Sequence, residues 1–168
     1  NNMWDYRLRV EDNSEGYSLN IYSGIGVEPN NPKMSILHNG NVGIGTTSPG
    51  YKLDVNGDVG AKDFLYTSDV SLKENIQQLS NSLNKIQQLQ GVSFDWKESG
   101  ENNIGLIAQD VEKVYPELIS TNSEGFKSVK YGNLVAPLIE AIKSQQKEIE
   151  AQNKRINELE KEIQELKN

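Results

Sequence analysis

Ser68 and Lys73 stand five residues apart in Ser68-Asp69-Val70-Ser71-Leu72-Lys73, the one constellation in the sequence that suggests nucleophilic chemistry. A serine hydroxyl is a weak nucleophile until a base takes its proton. His38 is the only histidine and cysteine is absent, which excludes histidine triads, thiolate chemistry and multi-histidine metal sites. Lysine is then the available base. It serves only where burial or a cationic neighbour brings its pKa from about 10.4 toward 7–8. Five residues is not a same-face helical spacing. The side chains meet only if Ser68 lies in a turn before a helix and Lys73 points back from the first turn. Ser71-Leu72-Lys73-Glu74 has the form of a capping box and predicts a helix start there. On spacing alone, the plainer alternative outweighs the catalytic pair: Ser68 or Asp69 as turn residues and a solvated Lys73.

Little other chemistry is on offer. There is no Gly-x-x-x-x-Gly-Lys-Ser/Thr loop, and Gly43-Ile44-Gly45 is only a fragment of a dinucleotide fingerprint in the wrong strand context. No carboxylate pair stands out, and none has EF-hand spacing. No cofactor and no metal are called for. His38, beside Asn39-Gly40, reads as a turn residue. The net charge of −7 argues against a nucleic-acid partner, since phosphate binding rests on clustered Lys and Arg. Without a basic groove, Trp4, Trp96 and the seven tyrosines read as packing residues. No run of about 18 apolar residues exists, so no helical membrane insertion is expected. Asn1-Asn2-Met3-Trp4 lacks the basic start and apolar stretch of a signal peptide and reads as the start of a fragment.

The elements that must position the pair fall into three zones. Residues 1–67 hold nine of the 14 glycines, with alternating runs at Tyr6–Val10, Tyr17–Tyr22 and Met34–Leu37 that predict strands. Asn39-Gly40 and Asn56-Gly57 predict tight turns. The recurrence of glycine at 40, 43 and 45 suggests close backbone approach between several chains. In residues 68–133, Leu72, Ile76, Leu79, Leu83, Ile86 and Leu89 define one apolar helical face, ending at Gly91. Strands are predicted at Val92–Trp96, Leu118–Ser120 and Phe126–Tyr131, an apolar run at Ile104–Ala108, and a short helix to Tyr115 stopped by Pro116. Residues 134–168 carry heptads. Val135, Ile142, Ile149, Ile156 and Ile163 occupy a, and Leu138, Gln145, Gln152, Leu159 and Leu166 occupy d. Isoleucine at a with leucine at d favours two strands, whereas glutamines at d suit larger bundles, so the pattern leaves the strand number open. Arg155 with Glu160 and Glu162 with Lys167 sit at g and e, where they favour parallel register. The class is α+β. With 35 % hydrophobic residues, the chain is too polar to bury one large core alone.

From Ser68 onward the sequence resembles the C-terminal intramolecular chaperone domain of phage tailspikes and tail fibres, the peptidase S74 (endosialidase-type) family. The likeness runs through Ser68–Ile76, Phe94-Asp95-Trp96, Ile104–Val111, Tyr115–Leu118, Val129–Leu134 and Pro137–Lys143 into the coiled coil. Gly40–Pro49 resembles the stem repeats that precede such domains. The resemblance implies a homotrimer: an intertwined β-stalk over 1–67 (triple β-helix or β-prism), a chaperone and autoprotease domain over 68–133, and a trimeric coiled coil over 134–168. It implies a chaperone whose client is its own stalk, which then cuts itself between Thr67 and Ser68, with Ser68 as nucleophile and Lys73 as general base. It further implies a virion location for the stalk, release of the chaperone part, made in the host cytoplasm, and a host-surface receptor for the parent fibre. A non-cleaving structural or receptor-binding fibre tip is the alternative.

Overall fold

The computed structural model describes residues 5–13, 16–24 and 32–167, with backbone alone at 5–7, 13, 23 and 24. Trp4 lies outside them. The chain divides into two compact units, Asn1–Ser68 with Asn122–Glu124, and Asp69–Thr121 with Gly125–Asn168.

The first unit is a five-stranded sheet. Its strands β1 (Asp5–Asn13), β2 (Gly16–Gly24), β3 (Met34–Leu37), β4 (Val42–Ile44) and β5 (Leu53–Val55) pair in chain order. All pairs are antiparallel except β4 with β5. The alternating runs become strands because period-2 patterning suits a pleated sheet. The glycines of the Gly40–Gly45 run have reasons within one chain. A Cβ on Gly43 would collide with the Thr46 carbonyl oxygen, and Gly45 turns at φ +70 against the Asn56 carbonyl. Lys52 Nζ donates to the Asn39 carbonyl at 2.8 Å and Asn41 Nδ2 to that of Pro49 at 3.1 Å, which closes the loop on itself.

The second unit is mixed α and β. Its elements are α1 (Ser82–Ile86), β6 (Gly91–Asp95), β7 (Asn102–Leu106), α2 (Ala108–Val114), β8 (Ile119–Thr121), β9 (Lys127–Val129) and α3 (Val135–Leu166). Two antiparallel hairpins, β6–β7 and β8–β9, flank α2 in sequence. Val111, Tyr115, Leu118 and Leu134 form a small core, with Ile86, Leu89, Leu106, Val114, Ile119 and Val129 packed against it. Lys85 Nζ sits 4.9 Å from the Tyr115 ring centroid, within cation–π range. Trp96 meets Phe94 edge to face at 5.2 Å. Pro137 falls in the first turn of α3, where its missing N–H costs nothing. α3 then runs 32 residues, about 48 Å at 1.5 Å per residue.

The helix predicted over 72–89 is not formed. A one-turn 3-10 helix covers Val70–Leu72, residues 73–81 have no regular structure, and only Ser82–Ile86 wind as helix. Asn75 and Asn81 stand at φ 52 and 57, outside the right-handed region. The apolar stripe lacks cover in one chain: Ile76 and Leu79 are exposed, and a short helix without a packed face is marginal in water. Gln78 Nε2 donates to Glu140 of α3 at 3.0 Å, and that carboxyl, bonded also to Lys143, is held below the usual carboxylate range.

Gly105 in β7 shows how tight the second unit is. The Tyr131 hydroxyl accepts from the Leu106 N–H at 2.8 Å, and a Cβ on Gly105 would come within 2.7 Å of that oxygen. Gly105→Ala is expected to destabilise the unit by about 1–3 kcal/mol through overpacking. Gly105→Ala combined with Tyr131→Phe should cost less than the sum of the two single changes, because the colliding oxygen is gone. Denaturant unfolding of the four chains measures both.

Candidate active site

Thr67 and Ser68 lie at the end of an exposed stretch. No helix or strand forms from 56 to 69, and every residue from 56 to 81 is exposed. Phe64, Leu65 and Tyr66, just before the bond between Thr67 and Ser68, are 63 %, 95 % and 71 % exposed. Ser68 closes the first unit and Asp69 opens the second.

Asp69 builds the local geometry. In extended backbone, at φ −63 and ψ 138, it caps the 3-10 turn of Val70–Leu72. Its carboxylate accepts from the Ser71 N–H at 2.8 Å and from the Ser71 hydroxyl at 2.6 Å. The turn closes through the Lys73 N–H on the Val70 carbonyl at 3.1 Å, so Lys73 is the residue that ends it. Ser68 and Lys73 therefore flank a single capped turn rather than the first turn of a longer helix. The box expected from Ser71 and Glu74 is supplied instead by Asp69 with Ser71. Its signal is the Asp-x-Ser spacing, which lets a carboxylate bond the amide two residues on.

The Ser71 hydrogen bonds hold the Asp69 carboxyl below its ordinary value of 3.8. A depressed carboxyl pKa stabilises the turn above the ordinary value, and that contribution disappears as pH falls through the lowered one. In an NMR titration, Asp69 is expected to titrate below 3.8, and Ser71→Ala to bring it back up.

Tyr115 is also perturbed: burial raises its phenol above the usual range. It belongs to the core rather than to Ser68 or Lys73. Among the described residues no three His, Asp or Glu side chains gather where they could hold a metal ion.

Residues 68–120 match the model of a protein family described as the chaperone of endosialidase, peptidase S74. The chain is 31 % identical over 122 residues to a long tail fiber protein of Salmonella phage S16, covering 66 % of this chain and 15 % of that protein. It is 32 % identical over 95 residues to long tail fiber proteins of Enterobacteria phages K3 and T2, covering 51 % of this chain and 8 % and 7 % of theirs. The chain thus corresponds to less than a sixth of the length of these relatives.

Proposed function

With residues 68–120 forming a chaperone-of-endosialidase domain in a chain akin to phage long tail fibre proteins, we propose a self-cleaving assembly chaperone. Residues 68–168 bring three copies together, hold the upstream stalk in register while it folds, and are then cut off between Thr67 and Ser68. The observation that carries this reading is a coincidence of position. The family match begins at Ser68, the residue that follows the exposed Thr67 and precedes the capped turn ending at Lys73.

Ser68 Oγ attacks the Thr67 carbonyl carbon. Lys73 is exposed in one chain, so its amine becomes a base only where the assembled copies cover it. There it takes the hydroxyl proton and returns it to the Ser68 nitrogen as the Thr67–Ser68 C–N bond breaks, which leaves a Thr67 ester on the Ser68 oxygen. Water then hydrolyses that ester to a Thr67 carboxylate and a free Ser68 hydroxyl. Each chain reacts once, so no substrate pocket is needed. Sheet topologies with distant pairings fold slowly, and copies joined by a coiled coil meet at high effective concentration. Losing the clamp afterwards makes the stalk hard to unfold, a kinetic stability. The assembled stalk then belongs to a virion fibre, and the released part stays where it was made.

The relatives carry the name of fibre proteins, which favours a second reading: a tip that stays attached and binds a host receptor. Denaturing gels and intact mass separate the two. The first expects a piece of 101 residues from Ser68 to Asn168, and an uncut native assembly overturns it.

A further inference from the structure

Asn-Gly occurs twice in the chain, at Asn39-Gly40 and at Asn56-Gly57, and the fold treats the two differently. The pair carries a reaction of its own. The backbone nitrogen of the glycine can reach the side-chain amide carbon of the asparagine and close a small ring, and no Cβ on the glycine obstructs the approach. Attack requires that this N–H be released from any hydrogen bond and that the asparagine side chain be able to swing onto it.

At Asn39-Gly40 neither requirement is met. The Gly40 N–H donates to the Leu37 carbonyl at 2.9 Å. Asn39 Oδ1 accepts from the Asn41 N–H at 2.9 Å, and Lys52 Nζ donates to the Asn39 carbonyl at 2.8 Å. The nitrogen that would attack, the side chain that would be attacked and the carbonyl between them are each held. At Asn56-Gly57 the Asn56 N–H donates to the Ile44 carbonyl at 2.9 Å, which fixes the end of β5. Among the described residues no hydrogen bond engages the Gly57 N–H or the Asn56 side-chain amide. Both residues are exposed, Gly57 stands at φ +143, and a Cβ there would meet nothing within 4 Å. The chain forms no helix or strand from there to Asp69, so no regular element fixes the peptide plane that must turn.

We propose that Asn56 is a site of spontaneous modification, deamidating through a cyclic imide with Gly57, while Asn39 is protected by its turn. The Gly57 nitrogen gives its proton to water or hydroxide and bonds to Asn56 Cγ, and the Asn56 side-chain nitrogen leaves as ammonia. Water then opens the ring. Opening at Cγ gives an aspartate in the ordinary backbone. Opening at the main-chain carbonyl carbon routes the backbone through Cγ and leaves an isoaspartate with a free α-carboxylate. Nothing is oxidised or reduced, and water is the only co-reactant. Either product adds a negative charge between Asp54 and Asp58. The Asn56 carbonyl oxygen lies 3.2 Å from where a Cβ on Gly45 would stand, so the isoaspartate sets its carboxylate against that turn. It also attaches the exposed run toward Thr67 one methylene further from β5. Asn56-Gly57 is thus an ageing site at the end of the last strand of the first unit.

Peptide mapping by mass spectrometry follows both sites in one sample of the full chain, held in warm, mildly alkaline buffer made with heavy-oxygen water. Asn56 is expected to convert at least about tenfold faster than Asn39, since releasing the Gly40 N–H costs about one net hydrogen bond. The product should carry heavy oxygen and separate into aspartyl and isoaspartyl forms. In concentrated urea, where both turns are lost, the two sites should convert at similar rates. Equal rates in the folded chain, or a faster Asn39, overturn the inference, and so does a folded chain in which neither site converts. The same gap persisting in urea also overturns it, because the difference then belongs to the flanking sequence and not to the fold.

Discussion

Ser68→Ala is expected to leave the chain in one piece under the conditions in which the proposed step cuts the parent chain, and to leave association unchanged. The effect is expected to be all-or-none on a denaturing gel, because the alanine has no atom to attack the Thr67 carbonyl. Lys73→Ala is expected to do the same by removing the base. Lys73→Arg tests the role more sharply. A guanidinium keeps the positive charge but does not give up its proton in proteins, so the arginine chain should also stay whole. If it is cut at the parental rate, lysine acts through its charge and not as a base. Both residues are exposed and outside the small core of Val111, Tyr115, Leu118 and Leu134, so folding should be unaffected. Circular dichroism and sedimentation should match the parent chain. Cutting that persists in Ser68→Ala would move the nucleophile elsewhere, and an uncut parent assembly would leave a chaperone without autoproteolysis.

What could be read ahead of the structure depended on how local the cause was. The heptads from Val135 to Leu166 were legible because a long helix declares its period in its own residues. The hairpin β8–β9 around Thr121–Gly125 and the stop of α2 at Pro116 were legible for the same reason, since turn chemistry is local. The stripe Leu72–Leu89 misled because a three-and-four spacing shows only that a helix could bury one face. It does not show that one chain provides anything to bury it against, and in one chain the segment opens at Asn75 and Asn81. Asp69 reads in the sequence as a turn residue, yet its cap on Ser71 replaces the expected box, because two overlapping capping patterns compete within six residues. Which face of the first unit's sheet is buried could not be read at all. Alternation in Ser18–Tyr22 fixes two faces, but only the fold reveals that the polar one, with Ser18, Asn20 and Tyr22, is the buried one. Six apolar side chains are buried among the described residues and twenty-seven large ones are exposed. The low hydrophobic fraction thus understates the difficulty: what apolar surface the chain has, it leaves largely open.

Ile149→Glu with Ile156→Glu is expected to take the assembly apart. Both positions lie at a, are 43 % and 52 % exposed in one chain, and sit mid-way along α3, far from the second unit's core. In one chain Arg155 pairs with Glu158 and Glu162 of its own helix at 3.4 Å and 3.8 Å, so surface charges supply no apolar partner for these isoleucines. Losing a buried isoleucine costs about 2 kcal/mol or more, and the cost recurs in every copy. Two positions in at least two copies cost about 8 kcal/mol, which weakens association by about a millionfold at 1.4 kcal/mol per tenfold. Sedimentation should show monomer at micromolar concentration. The helical signal should also fall, since a long polar-surfaced helix draws its stability from packing. Unchanged association would mean that α3 packs on its own chain. The glutamines at d offer the opposite perturbation. Gln145→Leu with Gln152→Leu should raise the melting temperature and lean the coil toward two strands, the preference of isoleucine at a with leucine at d. If cutting follows association in both directions, lost with the glutamates and altered with the leucines, then the bond between Thr67 and Ser68 reports on assembly. A monomeric double-glutamate chain that still cuts itself would separate the chemistry from the clamp.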